Sequence, residues 1–323
     1  MTPITPSVTR RTAVASLIAL ATTGLHAQTA RSDKLRIGYQ KSSTLITVLK
    51  ARGTLEKLLG ARGVTISWHE FTSGLPLLEA LNLGNVDFSA DVADTVPVFA
   101  QAAGAALTYV AQEAPSPTAQ AIVVRADSPI RSVADLKGRK IGFAKGAGAH
   151  FLLLAALERA GLSFKDIEPA YLSPADGRAA FEKGAIEAWA IWDPFLTAVQ
   201  VQSGARVLVD GRDIASYQRY YLASTPYAQV HADVLADLYT ELKKTGAWVK
   251  QNSKEAATLL SGVWGLDANI IEQANAHRSY LVRPVVGAAL TEQQRIADAF
   301  FAEKLLPKKI NAQDVALFKP PVA

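Results

Sequence analysis

Two rhythms of hydrophobic and polar positions alternate along the chain. Leu35-Arg36-Ile37-Gly38-Tyr39 has the period of two expected of a strand, and Val48 to Leu59 has helical spacing. Ile66 to Phe71 then reads as a strand, Leu75 to Leu83 as a helix stopped at Gly84, and Val86-Asp87-Phe88 as a short strand. A helix over Val96 to Ala103 and a strand over Leu107 to Ala111 follow. Such βαβ repetition predicts an α/β fold with a parallel sheet covered by helices on both faces.

Pro115-Ser116-Pro117-Thr118 interrupts the rhythm and suits a connection between lobes. A second α/β set follows, with strands at Ala121 to Val124, Lys140 to Phe143, Ala170 to Leu172, Ala188 to Trp192 and Arg206 to Val209. Helices are predicted between them over Phe151 to Ala160, Asp176 to Lys183 and Pro194 to Gln202. After Tyr220-Tyr221-Leu222-Ala223 the pattern turns almost wholly helical, over 228–252, 253–263, 267–276 and 291–305. Four helices without a sheet make a poor separate domain, so some are expected to return to the first lobe. The expected division is residues 28–119 plus 224–323 for lobe one and 120–223 for lobe two. It carries two crossings, near 118–120 and 222–224, and two crossings make a hinge.

The most telling junction is Ala188-Trp189-Ala190-Ile191-Trp192-Asp193-Pro194-Phe195. Its unbroken apolar run reads as a strand buried on both faces. Asp193 as N-cap and Pro194 at the first helical position would start a helix at once. In open α/β sheets, ligands bind at the carboxyl ends of strands. Trp192 is therefore either a wall for a ligand or core filler, and Trp189 reads as core.

Other strand-to-helix junctions are small or polar: Gln40-Lys41-Ser42-Ser43-Thr44, Thr72-Ser73-Gly74, Asp91-Val92-Ala93-Asp94-Thr95, Lys145-Gly146-Ala147-Gly148-Ala149-His150 and Ser173-Pro174-Ala175-Asp176. Each is either an ordinary cap or a share of an anion site made from free backbone N–H groups. One helix N-terminus contributes about 0.3–1 kcal/mol, and a hydrogen bond to a charged group about 1.5–3 kcal/mol. Micromolar affinity needs about 8 kcal/mol. Two helix ends and a few donors reach that without an arginine clamp.

Residues 1–27 have the order of a secretory signal peptide: Arg10-Arg11, an apolar stretch from Ala13 to about Leu25, and the small Ala27. The stretch falls short of the about 20 residues a membrane span needs. The arginine pair leaves twin-arginine and Sec export both open. Of the 323 residues none is cysteine. Disulfides, a thiol nucleophile and an N-terminal lipid-anchored cysteine are thereby excluded, and a free periplasmic protein is expected. Losing residues 1–27 removes two arginines and no acid, so the formal charge falls from +5 to +3, too little to point to nucleic acid.

No Walker loop or GxSxG elbow is present. Gly146-Ala147-Gly148 lacks the third glycine of a dinucleotide fingerprint, because Phe151 stands there. The histidines show no metal-ligand spacing. No cofactor, metal or enzymatic activity is expected, and a monomer is.

The chain resembles the periplasmic aliphatic sulfonate-binding proteins of ABC importers, within the wider nitrate, taurine and sulfonate group. The resemblance rests on Leu35-Arg36-Ile37-Gly38-Tyr39-Gln40-Lys41, Leu78-Glu79-Ala80-Leu81-Asn82, Phe99 to Ala105, Ser128-Pro129-Ile130 and Val133 to Gly138. It continues through Pro174 to Phe181, Ala188 to Pro194 and Leu306-Pro307-Lys308-Lys309. It implies a two-lobed type II periplasmic-binding-protein (Venus-flytrap) fold. A sulfonate would lie between the lobes and be passed to an inner-membrane permease for sulfur acquisition; the alternatives are another small anion or a vitamin precursor on the same fold, or an enzyme built on it. Carried over by position, Gln40, Ser42, Ser43, Thr44 and Asp94 would face the ligand from lobe one. Gly146, Ala147, Gly148, His150, Trp192 and Asp193 would face it from lobe two. Two turns depart from the family pattern: Ala147-Gly148-Ala149 stands where serines are common, and Val92-Ala93-Asp94 where Thr-Gly-Asp is. Asp94, Asp193 and Glu113 would suit a ligand that also carries an ammonium.

Overall fold

The computed structural model describes residues 33–320, and in it the alternation of the sequence builds two sheets. The chain begins with β1 (Asp33–Gln40), α1 (Thr44–Arg52), α2 (Thr54–Gly60), β2 (Val64–Phe71), α3 (Gly74–Asn82), β3 (Phe88–Ala93), α4 (Thr95–Ala102) and β4 (Leu107–Glu113). It crosses to β5 (Gln120–Val124), β6 (Lys140–Phe143), α5 (Gly148–Arg159), β7 (Glu168–Tyr171), α6 (Pro174–Glu182), β8 (Ala188–Trp192), α7 (Phe195–Ser203) and β9 (Arg206–Asp210). It returns through β10 (Arg219–Ser224), α8 (Thr225–Val230), α9 (Ala232–Gln251), α10 (Ser253–Trp264), α11 (Ala268–Ala276), β11 (Val282–Arg283), α12 (Gly287–Ala302) and β12 (Ala316–Leu317). The stretch read as a signal peptide, 1–27, lies outside the described residues.

The larger sheet has the order β11-β4-β10-β3-β1-β2, with β12 also on β4, and the smaller has β7-β6-β8-β5-β9. Neither is wholly parallel. β10 runs antiparallel between β3 and β4, and β5 runs antiparallel between β8 and β9. The expectation of parallel sheets therefore holds only for the β1–β2, β1–β3, β6–β7 and β6–β8 pairs and for β12 on β4. Because β10 belongs to the larger sheet, the second crossing falls before Arg219, upstream of the expected 222–224.

Two other expectations shift. The helix read over 48–59 is two helices. Gly53, left-handed at φ 60°, ends α1 with its N–H on the carbonyls of Leu49 and Lys50, and α2 starts beyond it. The strand read at 86–88 is β3, Phe88–Ala93, and all six of its residues are buried. Its Ser89 and Asp91 hide the strand, since a polar residue on a fully buried strand looks like a break.

The long C-terminal helix α9 packs on the larger sheet. α9 buries Val234, Leu235, Leu238, Tyr239, Leu242 and Val249, a stripe at helical spacing. That stripe shares a core with Leu35, Ile37, Leu45, Leu49, Phe88 and Tyr221 of the larger sheet and α1. A second core runs without interruption from Leu77, Val92 and Val96 to Ile122, Leu152 and Trp189, and so joins both sheets. α12 reinforces the joint by packing on both α4 and α5.

Candidate ligand-binding site

At the carboxyl ends of β1 and β2 the chain turns sharply into α1 and α3. Ser43 N–H donates to the Gln40 carbonyl at 2.8 Å, and the Gln40 amide side chain reaches the Asp91 carbonyl at 3.3 Å. Facing them, Ser173 caps α6 by accepting from Asp176 N–H, with Pro174 in the first turn. Between these ends lies a cavity of 260 Å³. Gln40, Lys41, Ser42, Glu70, Phe71 and Thr72 line it from the larger sheet, and Ser173, Pro174, Ala175 and Phe195 from the smaller. Its volume is at the small end of ligand pockets. Its walls are polar at Gln40, Lys41, Ser42, Glu70, Thr72 and Ser173 and apolar at Phe71, Pro174, Ala175 and Phe195. A ligand with a charged head and a hydrocarbon body suits that lining: Lys41 and the α1 N-terminus favour an anionic group, Glu70 favours a cationic one, and the apolar walls favour the hydrocarbon.

Behind Ser42 stands a buried charge cluster. Arg219 Nε lies 2.6 Å from Asp91 Oδ2, Arg219 Nη2 donates to the Asp91 carbonyl at 2.9 Å and Ser42 Oγ at 3.3 Å, and Nη1 donates to Tyr217 Oη at 2.8 Å. Arg278 Nη2 donates to Asp91 Oδ2 at 3.0 Å and Glu113 Oε2 at 2.6 Å, and Tyr221 Oη donates to Glu113 Oε1 at 2.7 Å. Burial works against the charge of Arg278, but Glu113, Tyr280 and Asp91 outweigh it and hold its pKa well above the ordinary arginine value. Burial pushes the Asp91 carboxyl up while the two guanidiniums pull it back. Two cations face two anions, so the cluster leaves no excess positive charge. Asp91 Oδ1 and the nearby Gln120 Oε1 and Gln218 Nε2 are buried without a hydrogen-bond partner in the protein. Neither arginine lines the cavity.

The turn at 146–150 meets the other sheet directly. Thr95 Oγ1 donates to the Gly146 carbonyl at 2.6 Å. A Cβ on Gly148 would stand 2.6 Å from the Tyr217 ring and 3.0 Å from Gln120 Oε1, so only glycine fits. Ala147 is the N-cap of α5 and offers no side-chain cap. His150 is fully buried, stacked on Phe143 with centroids 4.6 Å apart, and 5.0 Å from the Phe300 ring. Its Nδ1 accepts from Gly146 N–H. Burial, with a smaller push from Lys145, drives its pKa down to about 3, so the ring is neutral at physiological pH.

Asp94 sits at the α4 N-cap, and its Oδ2 accepts from Gln218 N–H at 2.9 Å. Ser43 and Thr44 are buried in structural bonds: Ser43 Oγ accepts from Gln40 N–H, and Thr44 Oγ1 pairs with Tyr280 Oη at 2.8 Å. Trp192 is 4% exposed, pairs with Gln120 across β5, and lies edge-on to Phe195 at 6.2 Å. α7 begins at Phe195, one residue later than expected, with Pro194 as N-cap. Asp193 still satisfies the helix end: its Oδ1 accepts from Thr197 N–H at 3.0 Å and Thr197 Oγ1 at 2.6 Å. Its Oδ2 lies 2.6 Å from His277 Nδ1.

Of the residues singled out in the sequence, Gln40 and Ser42 line the cavity. Asp94, Gly146, Ala147, Gly148 and His150 gather where the two sheets touch, and Asp193 pairs with His277. Phe195, which also lines the cavity, stands just past Asp193-Pro194 and is not among the residues the sequence singles out. It is the first residue of a helix at a strand's carboxyl end, which was the available signal. Arg219 and Arg278 carry no sequence signal, because nothing in a lone arginine announces burial. Glu113, Asp94 and Asp193, considered for an ammonium, each hold a protein partner. Among the described residues no group of three or more His, Asp or Glu could hold a metal, and no helix is long and apolar enough to cross a membrane.

Residues 61–256 match the family described as NMT1/THI5 like. A relative from Escherichia coli (strain K12), described as an aliphatic sulfonates-binding protein, is 42% identical over 300 residues, which is 93% of this chain and 93% of the relative. The crystal structure of the periplasmic aliphatic sulphonate binding protein SsuA from Escherichia coli superposes with a TM-score of 0.80 at 42% identity, covering 88% of this chain and 97% of that one. The alkanesulfonate-binding protein SsuA from Xanthomonas axonopodis pv. citri, bound to MOPS, gives 0.83 at 39% identity over 88% of this chain and 98% of that one. These relatives are binding proteins with the two-lobed periplasmic-binding-protein fold, and the two sheets described above are its two halves. This chain belongs to the NMT1/THI5-like family, in the group of the aliphatic sulfonate-binding proteins.

Proposed function

We propose that the chain is an extracytoplasmic solute-binding protein that captures a small organic sulfonate between its two sheets and hands it to an ABC permease. The observation that carries the reading is the 260 Å³ cavity, shared by both sheets, polar at Gln40, Ser42 and Ser173 and apolar at Phe71, Pro174 and Phe195. The sulfonate group lies toward the α1 and α6 N-termini, with Gln40, Ser42 and the rim residue Lys41 as donors. The alkyl body lies against Phe195. Asp94, Asp193 and Glu113 are engaged elsewhere, but Glu70 lines the cavity and would meet an ammonium, so an alkanesulfonate and a taurine-like ligand both suit it. Lobe one comprises 33–119 and 219–320, and lobe two 120–218, following sheet membership. The protein acts as a monomer in the periplasm, exported by residues 1–27, and does no chemistry on its ligand.

A thermal-shift screen over alkanesulfonates, taurine, sulfate esters, nitrate and carboxylates tests the reading, since a ligand of the native state raises its melting temperature by mass action. Butane-1-sulfonate is expected to raise it and to be recovered unchanged. A rise with nitrate or carboxylates alone, or conversion of the sulfonate, would overturn the reading.

A further inference from the structure

His277 and Asp193 tie the two sheets together beside the chain crossing. Asp193 follows β8 of the smaller sheet, and its N–H donates to the carbonyl of Ala119 in the first crossing at 3.0 Å. His277 follows α11 and directly precedes Arg278, which is ion-paired to Asp91 and Glu113 of the larger sheet. The His277 Nδ1–Asp193 Oδ2 contact of 2.6 Å therefore links the end of β8 to the charge cluster behind Ser42. Asp193 is held rigidly for this purpose, because its other oxygen is fixed by Thr197. A rotation of one sheet against the other that separates these residues has to break the pair.

We propose that His277 is a positioning residue for ligand capture: its protonated ring, held on Asp193, sets the angle between the two sheets and makes capture depend on pH. The groups around it favour the charged ring. Asp193 faces it from the α7 side, and Asp210 from the end of β9, paired there with Arg212. Lys250 of α9 opposes it, with its ammonium on the carbonyls of Asn275 and Arg278. Arg278 is neutralised by its own acids. The remaining polar neighbours in the adjoining groove, Thr118, Thr197, Gln200 and Gln273, do not titrate. The hydrogen bond to Asp193 raises the His277 pKa, burial opposes it, and the charges of Asp193 and Asp210 add to the rise. A raised pKa in the paired state means the charged tie is complete below the ordinary histidine value of about 6.5, and its ionic part is lost as pH climbs through the raised value, leaving at most a neutral Nδ1–H hydrogen bond. A sulfonate stays anionic throughout, so the ligand contributes no titration of its own.

Because the chain lacks cysteine, Lys57→Cys with Lys165→Cys places a dye pair on exposed sites of the two halves. Energy transfer between the dyes, without ligand, is followed from about pH 5.5 to about pH 9. The expected result is one transition above the ordinary histidine value. His277→Gln abolishes it, and His277→Lys holds the low-pH signal at every pH because its charge does not titrate in this range. In calorimetry, which rests on the sulfonate reading, the Kd for butane-1-sulfonate weakens about three- to tenfold over the same range and stays nearly flat in His277→Gln. A pH-independent signal in the dye pair, or an unchanged transition in His277→Gln, would overturn the proposal. Absence of butane-1-sulfonate binding at every pH would instead sink the sulfonate reading, with the dye pair still deciding the role of His277.

Discussion

The Thr95 hydroxyl donates to the carbonyl of Gly146 at 2.6 Å, joining the start of α4 in one half to the turn before α5 in the other. Both groups are buried, so each would be left unpaired if the halves parted in the absence of water. The bond favours the arrangement that surrounds the cavity. Thr95→Val, which keeps the shape and removes the donor, is expected to weaken sulfonate binding about two- to tenfold, the range for one net hydrogen bond. Thr95→Ser is expected to restore most of it. Titration calorimetry of the three proteins checks this, and equal affinities would show that the bond does not bear on capture.

Gly148 and Tyr217 leave no room for a side chain between them. Tyr217 is itself left-handed at φ 49° and pinned through its hydroxyl by Arg219. Gly148→Ala must displace that ring, and overpacking of this kind costs about 1–3 kcal/mol. Urea denaturation of the variant is expected to show the loss in its midpoint; an unchanged midpoint would mean the ring moves freely.

Phe195 and Trp192 share one junction but do different work. Phe195 lines the cavity, whereas Trp192 sits behind it, almost wholly buried. Phe195→Ala should weaken binding of butane-1-sulfonate about tenfold, and that of methanesulfonate less, for lack of an apolar body to lose contact. Trp192→Ala should instead cost about 3–5 kcal/mol of stability. Parallel calorimetry and denaturation of both variants separate the roles; the reverse pattern would make Trp192 the wall.

Burial pushes the Asp94 carboxyl up to about 7, against the Gln218 N–H bond and with help from Glu292. The folded protein therefore keeps a proton that the unfolded chain gives up near pH 4. Stability contributed by this group is full at low pH and declines as pH rises from about 4 to about 7, by at most about 1.4 kcal/mol per pH unit. Asp94→Asn accepts the same N–H and cannot ionise. Its stability relative to the wild type should rise across that window and level off above it. Denaturation midpoints at several pH values give the slope, and a constant difference would place the titration elsewhere.

The fold was legible wherever burial and apolarity coincide. Ala188–Trp192 has no polar residue, and the strand is there. β3 reads too early and β10 does not read as a strand, because Asp91 and Arg219 are buried charges, solvated by each other rather than by water. Their partners are remote: Arg278 lies 187 positions from Asp91, and His277 lies 84 from Asp193. No local pattern records such pairings. The polar junctions that the sequence marked do meet between the sheets, but only some face the cavity. Which of Ser42, Ser43 and Thr44 turns inward depends on the turn geometry after Gln40: all three hydroxyl oxygens accept from the protein, and only Ser42 lines the cavity.

Occupation of the cavity between the sheets by a small organic sulfonate can be measured directly. Calorimetric titration of the intact protein with butane-1-sulfonate, butyrate and nitrate tests it most directly. One-to-one binding of the sulfonate is expected, with a Kd of about 1 μM or below, and at least about tenfold weaker binding of the other two. One-to-one binding of nitrate or butyrate, with no heat from the sulfonate, would contradict it.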